Sequence, residues 1–124
     1  KLPGANRQRG RLVRRYRELL DGVPRVKVPF SGYSFGTPSY HIFPVLLDQS
    51  VSRMEVIEGL KENGIQSSIH YPPFQEFTAY RDTGLAQTPI ALDISRRELT
   101  LPLFPTMTFE QVDLVCGTLK KLLA

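Results

Sequence analysis

The sequence predicts an α+β, two-layer domain in which a small sheet of about three or four strands is covered by helices. Three observations carry that prediction. Short β-rich runs at 25–30, 40–47 and 65–70 are interleaved with segments whose apolar residues recur at helical spacing. Two capping boxes, Ser52-Arg53-Met54-Glu55 and Thr108-x-x-Gln111, mark helix starts. The apolar share is 41% of 124 residues, which suits one core of ordinary domain size.

Leu12, Tyr16, Leu19 and Leu20 lie on one stripe of a helix running from about Asn6 to Leu20, and Asp21-Gly22 with Pro24 ends it. Arg25–Phe30 alternates, with Val26 and Val28 on one side, as a short strand does. Residues 31–38 form a connection rich in Ser, Gly and Pro. Tyr40–Leu47 is a mostly apolar strand, in which Pro44 implies an edge position or a bulge.

Ser52 opens a helix with Val56, Ile57 and Leu60 on its apolar face, and Gly64 supplies the left-handed stop. Ile65–His70 follows as a strand that ends at Tyr71-Pro72-Pro73. Phe74–Tyr80 is aromatic and turn-like, with room for a short helix. Thr88-Pro89 opens a helix to about Arg97. Leu99–Leu103 is an extended apolar segment closed by Pro105. The last helix carries Val112, Val115, Leu119, Leu122 and Leu123 inward, with Lys120 and Lys121 at the favourable end of its dipole.

Composition excludes several classes. No apolar run approaches the roughly 18–20 residues of a membrane span, and no partner in a membrane is expected. The single cysteine, Cys116, cannot form an internal disulfide, and no signal peptide is evident, so a cytoplasmic setting is expected. His41 and His70 alone do not complete a metal site. Neither GxGxxG nor P-loop spacing occurs.

Charge is uneven. Residues 1–27 hold nine Lys/Arg against two acidic residues, and the remainder holds seven against ten. Such asymmetry can mark a nucleic-acid footprint, here the helix Arg7–Arg17. The aromatic residues lie elsewhere, however, and a basic face without stacking rings is more simply a solvated one. Nucleic acid is therefore the alternative partner and not the leading one.

The candidate site residues gather near predicted strand ends. His70 and Tyr71 lie where a strand departs into an extended proline pair, a place where imidazole and phenol groups can meet a ligand. Tyr71 packing with Phe74 and Phe77 while His70 caps a loop is the competing reading. Tyr40 and His41 face opposite sides of their strand, so at most one of them enters the core. Arg53, a cation in the first turn of a helix, hints at a tertiary partner, with a plainly solvated side chain as the equal alternative.

Several segments in order carry a family resemblance. They are Arg11-Leu12-Val13-x-x-Tyr16-x-x-Leu19-Leu20 and Ser39-Tyr40-His41-Ile42-Phe43-Pro44-Val45, then Ser52-Arg53 through Gly64-Ile65. His70-Tyr71-Pro72-Pro73 follows, and Leu99-x-Leu101-Pro102-Leu103-Phe104-Pro105-x-Met107-Thr108 with Gln111-Val112 completes the set. Nearly the whole chain resembles the C-terminal part of the DegT/DnrJ/EryC1/StrS aminotransferases, the pyridoxal-phosphate-dependent sugar aminotransferases.

The resemblance implies a fold type I enzyme with a large cofactor domain followed by a small one, of which residues 1–124 are the small C-terminal domain. It implies transfer of an amino group to a nucleotide-linked keto-sugar, and a homodimer with sites at the subunit interface. Pyridoxal phosphate belongs to the full-length parent, and none is expected bound to this fragment. The lysines are Lys1, Lys27, Lys61, Lys120 and Lys121, and none has the family's aldimine context, so no catalytic residue is assigned. A histidine in place of that lysine would mark the family's dehydratase branch, the alternative to the aminotransferase. By the same resemblance, His70 falls near the active-site cleft as a substrate contact, with Tyr71, Tyr40 and His41 as further candidates. The Met-less start then reads as a cut through a larger enzyme.

Overall fold

A computed structural model describes residues 1–32, 36–80 and 88–124. The long first helix, α1 (Leu2–Leu20), begins four residues earlier than its apolar stripe predicts, because Pro3 is well suited to a first turn. It buries Leu12, Val13, Tyr16 and Leu20. Among the described residues, three antiparallel strands follow the order β1 (Val26–Lys27), β2 (Phe43–Leu47) and β3 (Glu98–Leu101). Helices α2 (Arg53–Glu62), α3 (Pro89–Arg97) and α4 (Phe109–Leu123), with a 3₁₀ turn at Phe74–Glu76, complete the fold. One core joins the layers, with Leu12, Tyr16, Val45, Leu47, Leu60, Leu99, Val112 and Leu119 wholly inaccessible.

Two helix ends form as their residues dictate. Thr108 Oγ1 accepts from Gln111 N–H and Gln111 Oε1 accepts from Thr108 N–H, a reciprocal capping box. At the end of α2, Gly64 takes φ +73°, Gly64 N–H bonds Lys61 O and Ile65 N–H bonds Leu60 O, the Schellman pattern. Thr88 does precede α3, but its hydroxyl accepts from Gln75 Nε2 and caps nothing.

The strands are shorter than predicted, for identifiable reasons. Arg25 and Phe30 adopt φ +65° and +58°, which leaves only Val26–Lys27 in the ladder. Tyr40 at φ +50° breaks the extended run, so β2 starts at Phe43. The connection 31–38 lies partly outside the described residues. Leu122, expected inward, is 37% exposed, yet it lies so close to Gly59 that a Cβ there would come within 2.5 Å of its Cδ2.

The expectation of an edge for Pro44 needs correction. Pro44 sits in the central strand, opposite Thr100. Thr100 exchanges both backbone bonds with Ser68 on its other side, at 3.1 and 2.8 Å, so Pro44 has no ladder donor to supply toward β3. Its nitrogen faces the β1 side, where pairing has already stopped at Lys27↔Leu46. Pro44 thus occupies a local edge within a central strand.

The predicted strand Ile65–His70 survives as the single bridge Ser68↔Thr100. Alternation would next pair Gln66 with Pro102 and His70 with Glu98. Pro102 has no N–H to give. On the other side, Glu98 O accepts from Arg53 Nη1 at 3.1 Å, and His70 N–H donates to the Glu98 side chain at 2.9 Å instead. The ladder is blocked at both ends.

Candidate functional site

Pleat alternation places Glu98 and Thr100 on the sheet face opposite the core residues Leu99 and Leu101. Glu98 is 5% exposed, and a buried carboxylate is costly unless its oxygens are satisfied. Oε2 accepts from His70 N–H, and Oε1 accepts from the Thr100 hydroxyl. Thr100 Oγ1 lies 3.0 Å from His70 Nδ1, and Ser68 Oγ lies 3.4 Å from the same nitrogen. A buried acid, a hydroxyl and an imidazole are therefore connected in series, and the imidazole is held at both its backbone and its ring.

This assembly opens onto a cavity of about 520 Å³, within the range of small-molecule sites. Its wall includes His41, Ser67, His70, Thr100, Phe104 and Gln111. Of the four residues singled out in the sequence, the cavity brings together His41 and His70. Tyr71 is largely exposed, follows a cis peptide bond, and stands edge-on to His70 with ring centroids 5.0 Å apart. Tyr40 lies outside the wall: its ring covers Gly10 of α1, where a Cβ would approach within 2.9 Å of it.

Sequence reading missed Glu98, Thr100 and Ser67. The signal for the first two was present: a charged residue and a hydroxyl two apart in an otherwise apolar strand share one face. Ser67 Oγ is buried on the cavity wall with no hydrogen-bond partner among the described residues. Nothing in its local sequence signalled that. Arg53 does have the tertiary partners its position invites, Ser95 O and Glu98 O, and so ties α2 to the end of α3.

The arginine-rich helix is partly committed to intramolecular contacts. Arg15 pairs with Asp113 of α4 through two bonds of 2.8 and 2.9 Å. Arg9 reaches Ser39 O and Asn6, and Arg17 reaches Phe30 O. Among the described residues, no group of three or more His, Cys, Asp or Glu side chains is placed to hold a metal ion.

The sequence of residues 1–120 matches the model of the DegT/DnrJ/EryC1/StrS aminotransferase family. The chain belongs to this family. A dTDP-4-dehydro-2,3,6-trideoxy-D-glucose 4-aminotransferase from Saccharopolyspora spinosa is 31% identical over 98% of the chain and 31% of its own length. Among solved structures, the aminotransferase TlmJ from Streptoalloteichus hindustanus superposes with a TM-score of 0.87 at 28% identity, covering 98% of this chain and 32% of that one. Spr1654 from Streptococcus pneumoniae, in its PLP-form, gives 0.84 at 28% identity over 97% and 31%. The chain thus spans about a third of the length of the relatives it matches. No helix among the described residues is long and apolar enough to cross a membrane.

The cavity's described residues do not by themselves fit pyridoxal phosphate. The wall holds no lysine to carry the cofactor and no carboxylate placed to pair with a pyridine nitrogen. Its polar side chains are imidazole, hydroxyl and amide groups.

Proposed function

We propose that residues 1–124 form the C-terminal small domain of a pyridoxal-phosphate-dependent aminotransferase acting on a nucleotide-linked keto-sugar. In this reading a preceding large domain holds the cofactor and the lysine. The parent is a cytoplasmic homodimer. The chain alone is inactive, and it contributes substrate-side contacts and an interdomain surface. Family membership supports the reaction class. The activity of the Saccharopolyspora spinosa relative, on a dTDP-linked keto-sugar, supports the substrate class, and the PLP-form of the pneumococcal neighbour supports the cofactor.

One observation carries the assignment of the site: His70 is fixed by a buried acid–hydroxyl pair at the wall of a ligand-sized cavity, with His41 on the same wall. His70 orients the sugar through its ring. His41 and Tyr71 flank it, and Tyr40, seated on Gly10, supports the segment that carries His41. In the aminotransferase that carries this segment, His70→Ala raises KM for the keto-sugar roughly tenfold, the loss of one hydrogen bond of about 1.4 kcal/mol. Unchanged KM and kcat would overturn the assignment. Inertness of the chain alone is checked by adding pyridoxal phosphate: a borohydride-trapped adduct at one internal lysine overturns that claim.

A further inference from the structure

The hydroxyl of Thr100 has one proton, and it is committed to Glu98 Oε1. Toward His70 Nδ1, 3.0 Å away, Thr100 Oγ1 is left only as an acceptor. Nδ1 carries the proton toward this nearest partner, and the Ser68 hydroxyl, 3.4 Å from the same nitrogen, can accept from it as well. In the neutral ring the lone pair is on Nε2, on the far side from Thr100, where His70 makes no hydrogen bond to any described residue. Glu98 cannot easily turn away, because its second oxygen accepts from His70 N–H at 2.9 Å.

From this geometry we propose that Glu98 and Thr100 are positioning residues that hold His70 in its Nδ1–H form, so that Nε2 meets the ligand as a hydrogen-bond acceptor. The class of group recognised follows directly. Nε2 takes a sugar hydroxyl or an amino N–H, both donors. It does not take a phosphate oxygen, which brings only lone pairs. The ligand-facing half of the proposal rests on the reading of His70 as a substrate contact. The tautomer itself does not.

The chain contains two histidines, so imidazole nitrogen spectra of the ¹⁵N-labelled 124-residue protein resolve His70 directly, its signals being those lost in His70→Ala. The measurement is made near pH 8.5, where an ordinary imidazole with a pKa of about 6.5 is neutral. The expected result is a protonated Nδ1 and a bare Nε2, the reverse of the form favoured by free histidine. Thr100→Val, made together with Ser68→Ala so that neither hydroxyl remains beside Nδ1, returns the ring to the Nε2–H form, and Thr100→Ser in the Ser68→Ala background keeps the native pattern. A native Nε2–H tautomer, or one that the Thr100→Val/Ser68→Ala pair leaves unmoved, overturns the proposal. If Thr100→Val fails to fold, the native spectrum and Thr100→Ser still decide.

The ligand half is read in the enzyme carrying this segment. Thr100→Val should raise KM for the keto-sugar roughly three- to tenfold with a smaller change in kcat, and Thr100→Ser should rescue it. If the Nδ1–H tautomer is found but neither His70→Ala nor Thr100→Val moves KM, the relay stands and the substrate role falls. The two failures are therefore distinguishable.

Discussion

The phenol of Tyr16 donates to the carbonyl of Pro102 at 2.8 Å while its ring stacks on Phe43, centroids 4.5 Å apart and planes at 17°. One side chain thereby links α1 to β2 and to the segment leaving β3 that forms part of the cavity wall. Burial pushes the Tyr16 hydroxyl far above its ordinary range, so it remains a donor throughout the stable pH range.

Tyr16→Phe keeps the stacked ring and loses the bond, leaving the Pro102 carbonyl without this donor. The expected cost is about 1 kcal/mol, seen as a lower urea midpoint with unchanged m. A midpoint equal to wild type would show that water replaces the phenol there.

The contact between Gly10 and Tyr40 predicts non-additivity. Alanine in a helix interior is favoured over glycine by about 1 kcal/mol, but at position 10 its Cβ would meet the Tyr40 ring. Gly10→Ala should therefore stabilise by about that amount in a Tyr40→Ala background and by distinctly less in the wild type. Equal gains in a double-mutant cycle would dismiss the contact.

Among the described residues, part of the acid sensitivity comes from three aspartates held below their ordinary value of 3.8. Hydrogen bonding to Arg15 lowers Asp113, hydrogen bonding to Arg97 lowers Asp93, and the Ser50 backbone and hydroxyl lower Asp48. Because the folded values are depressed, their stabilisation is complete above pH 3.8 and is lost as pH falls through the folded values. Asp113→Asn should flatten the acid limb of stability against pH while leaving its slope near neutrality unchanged.

Cys116 is buried and burial pushes its thiol up to about 12, so almost no thiolate exists at neutral pH. A thiol-specific alkylating reagent should label it only through unfolding, at a rate that rises with added denaturant. Rapid labelling of the native chain would contradict this packing.

Particular residues show what was legible in advance. Thr108 with Gln111, and Gly64 after Leu60, declared their helix ends because capping depends on atoms a few residues apart. His70 could be picked out as a candidate from its place beside Tyr71-Pro72-Pro73, but Glu98 and Thr100 were not tied to it. They are 28 and 30 residues distant and meet it only after the bridge Ser68↔Thr100 forms. Pro44 shows the same limit: its missing donor was certain from the residue type, and the side it faces was decided by β1 and β3.

The sequence by itself determined the α+β class, the helices, the ends at Thr108 and Gly64 and the family, because periodicity, turn chemistry and ordered motifs are properties of the chain alone. Only the tertiary structure decided the strand limits and the partner of each polar group. Blocked pairs at Pro102 and Glu98 ended the ladder at Ser68 and released His70 N–H to a buried carboxylate. Long-range hydrogen bonds are chosen by competition among all the donors and acceptors that folding brings together, and that competition cannot be read from spacing.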